Sequence, residues 1–279
     1  SWLSYTSTQF GLHIDNHPYY LTLLSKYQYE RYPHLGSFLQ DQGYKSYRLS
    51  SLSVNLTQDS WEQYERMYNV DGWFQYEDLD YSGPLYGWGP AVPDQYALNY
   101  THEQIIERDG ADQPFMLFFI TQSSHYPFAP IPKLVPDWRT LNGLETTAES
   151  INDETRDHAV RRQDYFNAIA YDLNTLVQFI LQNNDTDALY ILIGDHQPPR
   201  VSRRADGFDT PIHIISRDAA LIAAFQEYGF TPGLWINEKE PAMKHEGLYS
   251  MVVRALLSEE GEEVALPPYL PDGFVMPET

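Results

Sequence analysis

The chain has 279 residues, 42% of them hydrophobic and 15% aromatic, and a formal net charge of −21. That length suits one large α/β domain or a core with a small appendage, and the acidic surplus argues against a nucleic-acid partner. Cysteine is absent, which excludes disulfides, thiolate metal sites and a cysteine nucleophile; no stretch reaches the ~20 apolar residues of a membrane span or looks like a signal peptide.

In chain order, Pro33 to Gln42 reads as a short helix stopped by Gly43, and Tyr44 to Leu49 as a strand. Ser60 opens a helix that runs to Tyr68. Asp71 to Tyr100 crowds Gly, Pro and aromatic residues into a stretch too irregular for one element and long enough to be a functional loop. Pro93-Asp94 opens the helix that carries Tyr96 to Glu107, with Asp94 read as a helix cap. Pro114 to Ile120 is a continuous apolar run, the mark of a strand buried on both faces. Thr121-Gln-Ser-Ser-His-Tyr-Pro-Phe128 leaves its C-terminal end, and Pro127, Pro130, Pro132 and Pro136 make the segment to Gly143 a surface excursion.

The strongest helix is Thr155 to Leu181. Phe166, Ile169, Leu173, Leu176, Val177 and Ile180 recur at steps of three and four, and Asp164, Asp172 and Asn174 take the other side. Asn183 to Asp187 ends it and leads into a second apolar strand, Ala188 to Ile193. Gly194 breaks that strand, and Asp195 and His196 follow at the edge where open α/β sheets place their ligands. A carboxylate beside an imidazole suits a divalent cation; the same pair also suits a helix cap and a surface histidine. If the two apolar strands are parallel neighbours, His125 and His196 face a common crevice. Arg200, Arg203 and Arg204 follow closely in a chain with 18 Lys and Arg against 39 Asp and Glu. At least one is expected to face the crevice and offset the acidic field for an anionic substrate; a solvated loop is the other reading. Pro211 to Ile215 reads as a strand, Asp218 to Tyr228 and Glu246 to Leu257 as helices, and 259–279 as an acidic, Pro-rich peripheral extension.

Gly194-Asp-His-Gln-Pro-Pro199, behind an apolar strand and a long helix, resembles the sulfatase-like branch of the alkaline phosphatase superfamily. Thr121 to Phe128 is similar to the substrate-histidine segment of the lipoteichoic acid synthase and phosphoglycerol transferase group. Tyr86-Gly-Trp-Gly89 with Pro93-Asp94, Tyr165 to Ile169, and Thr210 to Ser216 agree in order, and the resemblance extends from Ser1 to about Ser258. It implies an α/β fold: a three-layer αβα sandwich with a mostly parallel central sheet, alkaline phosphatase-like, lacking its first strand, with the catalytic domain in 1–258. It also implies Asp195 and His196 as ligands of Mn²⁺, Mg²⁺ or Zn²⁺, and His125 as the group at the substrate or leaving oxygen. Trp88 is implied as a head-group contact, an aromatic lid being its alternative; His213 is read as structural.

The implied activity is metal-dependent transfer or hydrolysis of phosphate or sulfate esters through a hydroxyl nucleophile, with phosphoglycerol-type transfer at a membrane surface foremost. The implied substrate is an anionic ester: a lipid head group, a glycan or a small ester. A sulfatase, or a catalytically silent domain that binds a glycan or lipid head group, are the alternatives. The lack of cysteine and of a Ser-x-Pro-x-Arg motif tilts the reading away from sulfate.

Ser1 to Gly11 is similar to the helix that follows the nucleophile in that superfamily, and no apolar strand ending in Asp or Glu precedes it. The nucleophile and the first metal carboxylate are therefore expected upstream of residue 1, with little turnover from residues 1–279 alone. Ser4, Thr6, Ser7 and Thr8 are possible stand-ins, although hydroxyls in such a helix more often cap or pack. The group further implies upstream membrane helices and a place at the extracytoplasmic face of the cytoplasmic membrane or in the periplasm.

Overall fold

Tyr47 and Leu49 are fully buried in the middle strand of a parallel sheet, and the run Phe115–Phe119 pairs beside them half-buried. The structure, a computed structural model, describes residues 1–26, 32–50, 58–89, 91–145, 156–183, 187–235, 243–258 and 265–275. The main elements are α1 (Trp2–Phe10), α2 (His17–Lys26), α3 (Leu35–Asp41), β1 (Lys45–Leu49), α4 (Gln58–Tyr68), β2 (Gly72–Phe74), α5 (Asp94–Asp109), β3 (Phe115–Phe119), α6 (His158–Gln182), β4 (Tyr190–Ile193), β5 (Ile212–Ile215), α7 (Ala219–Gln226) and α8 (Gly247–Ser258). Parallel pairing puts β1 between β2 and β3, with Tyr47 opposite Gly72 and Leu117.

Successive strand residues point to opposite faces, and this sheet is covered on both. Leu49, Leu117 and Phe119 meet Val92, Tyr96 and Ala97 beneath α5. On the far side Met116 joins a cluster of α3, α7 and α8, and the buried Arg48 guanidinium lies over Tyr68, Trp73 and Phe118 at 3.9, 4.8 and 4.7 Å. The α/β architecture with a parallel sheet therefore stands. The second apolar strand departs from a simple parallel arrangement. β4 pairs antiparallel with β5, Leu192 opposite His213, and among the described residues β3 and β4 each end their own sheet. Ile191, Ile193, Ile212 and Ile214 pack on Phe225, Leu248 and Met251. His213 is a strand residue, as read.

α6 corrects the periodicity reading. Ala168, Tyr171, Asp172, Thr175 and Phe179 are its buried residues. Phe166, Leu173 and Val177, placed inward by the pattern, are about half exposed at 51%, 47% and 48%. Spacing defines the faces of a helix but not which one wins the interior. Here Asp172 is drawn inward beside a second buried carboxyl, Asp94, and Tyr171 turns in with it.

Two elements were not read from the sequence: α2, and β2 within the supposed irregular loop. The reading that starts the long helix at Thr155, part of its Asn183–Asp187 end, and residues 259–264 of the extension lie outside the described residues. Residues 265–275 are bonded into the domain. Phe274 donates its N–H to Gly11 C=O at 2.7 Å and accepts from His13 at 2.9 Å, and Arg254 reaches back to Pro267. Gly11 closes α1 with φ +64, a left-handed turn that favours glycine. No helix among the described residues is long and apolar enough to cross a membrane.

Candidate active site

The C-terminal ends of β3 and β4 open toward the start of α1. His196 Nε2 lies 2.8 Å from Ser1 Oγ, and Tyr5 donates to Asp195 Oδ2 at 3.3 Å. Tyr5 also sets its ring edge-on to Phe118 of β3, with centroids 6.2 Å apart. α1 thus bridges two strands that do not pair. Burial, then the Asp195 charge, pushes the Tyr5 phenol far above its ordinary range, so it stays a hydrogen-bond donor at neutral pH.

Gly194 makes this strand end possible. A Cβ there would sit 3.0 Å from Thr210 Cβ and 3.3 Å from Pro211 Cδ, while its N–H bonds Pro211 C=O at 3.0 Å. His245 Nε2 holds the Gly194 carbonyl at 2.9 Å from the other side. The turn then places Asp195 Oδ2 3.3 Å from His196 Nε2. His196 Nδ1 lies 2.8 Å from the Gln197 carbonyl; a carbonyl only accepts, so that nitrogen carries a proton, and in the neutral ring Nε2 is the nitrogen with the lone pair. Two lone-pair donors at this spacing suit adjacent positions around a divalent cation. Among the described residues no group of three or more His, Asp or Glu is arranged to hold one.

His125 shows the same tautomer. Its Nδ1 lies 2.6 Å from the Tyr126 carbonyl, which leaves Nε2 as an acceptor. Burial lowers its pKa, opposed by the bond to Tyr126 and by Asp195, with the nearby His196 adding to the lowering. The ring is therefore neutral at neutral pH and close enough to the Asp195–His196 pair to feel the Asp195 charge. Trp88 stacks on it, with centroids 4.5 Å apart and planes inclined by 24°, and remains 42% exposed.

The three arginines separate. Arg200 places its guanidinium 5.3 Å from the Tyr126 ring centroid, beside His125. Arg203 folds onto Asp206, 2.8 Å away, in a local capping box. Arg204 lies exposed in the same short turn. Arg200 and Phe128 hold φ of +61 and +66, left-handed conformations that non-glycine residues seldom take; they flank the two histidine loops.

Of the α1 hydroxyls, Ser4 is half-buried. Thr6, Ser7 and Thr8 are buried, and Thr6 and Thr8 donate to the Trp2 and Ser4 carbonyls one turn back. Four neighbours were not singled out from the sequence: Ser1, Tyr5, His245, and Tyr165, whose phenol is raised by burial and then by Asp195. Nothing local marks them, because each reaches the site from a distant part of the chain. Asp94 does not cap its own helix. Pro93 is the N-cap residue, and the Asp94 carboxylate accepts N–H bonds from Gln122 and Ser123, in the loop before His125, at 2.7 to 3.0 Å.

The Sulfatase family model matches residues 4–214, which spans both strand ends and the loop of Trp88. The chain belongs to the sulfatase family. The sulfatase fold is also seen in the crystal structure of the lipoteichoic acid synthase LtaP from Listeria monocytogenes, at TM-score 0.54 and 17% identity over 76% of this chain and 52% of that one. A protein of the alkaline phosphatase superfamily from Vibrio parahaemolyticus is similar at TM-score 0.49 and 20% identity, over 77% and 48% of the two chains. The chain spans about half the length of these structures. No curated protein matches it. The sulfatase membership and the α/β fold shared with LtaP agree with the resemblance carried by the Gly-Asp-His and Ser-His-Tyr-Pro segments.

Proposed function

We propose that this sulfatase-family chain is the catalytic part of a metal-dependent transferase or hydrolase of phosphate esters, with phosphoglycerol-type transfer to an acceptor alcohol as its subtype. Its place would be the extracytoplasmic membrane surface or the periplasm, where an anionic lipid head group is the substrate. One observation carries the reading. A carboxylate–imidazole pair follows one strand and a neutral, Trp-stacked histidine follows a strand of the other sheet, near enough for Asp195 to act on that histidine and with Tyr5 touching both strand ends.

Asp195 Oδ2 and His196 Nε2 would hold a divalent ion, Mn²⁺, Mg²⁺ or Zn²⁺, which when bound neutralises charge on the transferring group. Gln197 C=O keeps His196 in the tautomer such binding needs. His125 Nε2, unprotonated at neutral pH, accepts a hydrogen bond or proton from an alcohol oxygen and can return it to a leaving oxygen. Trp88 covers His125 and offers an apolar wall to the glycerol moiety. Arg200 is the cation placed to meet the ester's negative charge; Arg203 and Arg204 would contribute only to the wider field.

The test is turnover by the full-length protein on phosphatidylglycerol vesicles and on an aryl sulfate, before and after chelation and with Mn²⁺ restored. Metal-dependent release of diacylglycerol, lost in Asp195→Asn and His125→Ala, is expected. Turnover indifferent to both substitutions and to chelator would overturn the reading, and cleavage of the sulfate alone would make the enzyme a sulfatase. A silent head-group-binding domain is the competing reading. It predicts glycerophosphate binding without turnover.

A further inference from the structure

Beneath the His125 loop lies a pair of buried acids that the proposed chemistry does not use. Asp94, the first residue of α5, is 0% exposed, and Asp172, in the middle of α6, is 5% exposed. Both Asp94 oxygens accept the Gln122 N–H at 3.0 Å, Oδ2 also accepts the Ser123 N–H at 2.7 Å, and Ser123 Oγ accepts the Asp94 N–H at 3.3 Å. Asp172 stands beside Asp94, with Thr121 and Ser124 close by, yet neither of its oxygens receives an N–H or hydroxyl bond of good geometry.

The groups facing the pair are few. α5 contributes Asp94, α6 contributes Asp172 and Tyr171, and the loop after β3 contributes Thr121, Gln122, Ser123 and Ser124, none of them charged. Among the described residues no ion pair joins either acid to a cation. Two adjacent carboxylates in a dry site cannot both keep their charge. The donors decide which one does: Asp94 has backbone N–H groups to stabilise an anion, and Asp172 has none, so the proton sits on Asp172 and its O–H donates to Asp94. Burial and mutual repulsion raise both groups, Asp172 the more strongly.

We propose that Asp94 and Asp172 form a carboxyl–carboxylate latch sharing one proton, which ties α5 and α6 to the 121–124 turn and makes both acids positioning residues for His125. The latch acts through the backbone of the turn. Gln122 C=O accepts the His125 N–H at 3.1 Å, so displacement of Gln122 carries the imidazole with it. Its catalytic meaning rests on the proposed role of His125, but its existence does not.

The experiment therefore reads no turnover. In the full-length protein, thermal midpoints are measured from pH 5 to 9, and the His125 ring resonance, displaced by the Trp88 ring current, is followed by NMR over the same range. A carboxyl raised in the folded state contributes stability that is complete below its unfolded pKa of about 4 and is lost as pH rises through the folded value. Asp172→Asn keeps a donor toward Asp94 and removes the titrating proton. It should flatten that slope, leave the His125 resonance near its wild-type position, and abolish the second inflection that latch ionisation imposes on the His125 titration. Asp94→Asn turns an amide donor toward the Gln122 and Ser123 N–H groups, and should move the resonance toward that of an unstacked imidazole.

A wild-type slope retained in Asp172→Asn, or a single-step His125 titration in wild type, overturns the latch. An unmoved His125 resonance in folded Asp94→Asn overturns positioning; if that variant does not fold, the comparison of Asp172→Asn with wild type decides alone. A His125→Ala protein with full turnover would remove the proposed function and leave both latch readouts intact.

Discussion

His125 and the Asp195–His196 pair stand on loops of opposite build. The loop before His125 is anchored from below by a fully buried carboxylate that takes two backbone N–H groups, and its imidazole is covered by an indole. The loop after β4 has no buried carboxylate beneath it: Asp195 accepts the His196 N–H and the Tyr5 hydroxyl, and His196 meets the Gln197 carbonyl and the Ser1 hydroxyl. Its two side chains stay 33% and 44% exposed. The difference teaches what each loop is suited to. A proton-transferring ring benefits from a rigid, dry seat, whereas donors that admit a cation must remain open and only partly satisfied.

The largest expected effect breaks that contrast directly. Asp94→Ala strands buried N–H groups and an adjacent acid, and should cost about 3 kcal/mol or more. Asp195→Ala, on the open loop, should cost no more than about 1 kcal/mol. Urea denaturation of both variants checks this, and equal losses would erase the distinction. Activity should reverse the order of importance: Asp195→Asn and His196→Ala are expected to lower turnover of the full-length enzyme by at least about 100-fold with midpoints of unfolding near wild type.

A smaller effect sharpens the picture of the covered ring. Since burial makes folded His125 harder to protonate than the unfolded residue, its share of stability is complete above about pH 6.5 and is lost as pH falls through the lower folded value. The acidic limb of kcat/KM should accordingly lie below the ordinary histidine range, and Trp88→Ala, which uncovers the ring, should move that limb upward. The smallest effect separates two arginines. Arg200→Ala should raise KM for an anionic ester severalfold, while Arg203→Ala, whose partner is the exposed Asp206 in its own turn, should leave KM and stability at wild-type values.

Several residues of the proposed site stand out locally. An apolar run followed by Gly194-Asp195-His196, and another followed by Ser124-His125-Tyr126, announce strand ends with side chains capable of chemistry, and Tyr5 of α1 touches both strand ends. Trp88 could be named from its Gly-rich loop, but not its stacking on His125. Asp94 looked like a cap because helix starts favour acidic residues, and only the approach of the 121–124 turn reveals a different acceptor role. The apolar stripe of α6 was equally visible, yet its facing was not: a helix with a stripe on one side and Tyr171 and Asp172 on the other is settled by its neighbours.

Residue order by itself determined the alternating α/β plan, the two strand ends and the residue types able to bind a metal or move a proton, because periodicity, chain-breaking glycine and side-chain chemistry are properties of short segments. Only the tertiary structure decided that β4 turns antiparallel to β5, that Ser1 and Tyr5 close the site from α1, and that Asp94 and Asp172 meet beneath His125. Those outcomes depend on contacts between residues tens to hundreds of positions apart, where burial and hydrogen-bond satisfaction are shared among elements that no local pattern links.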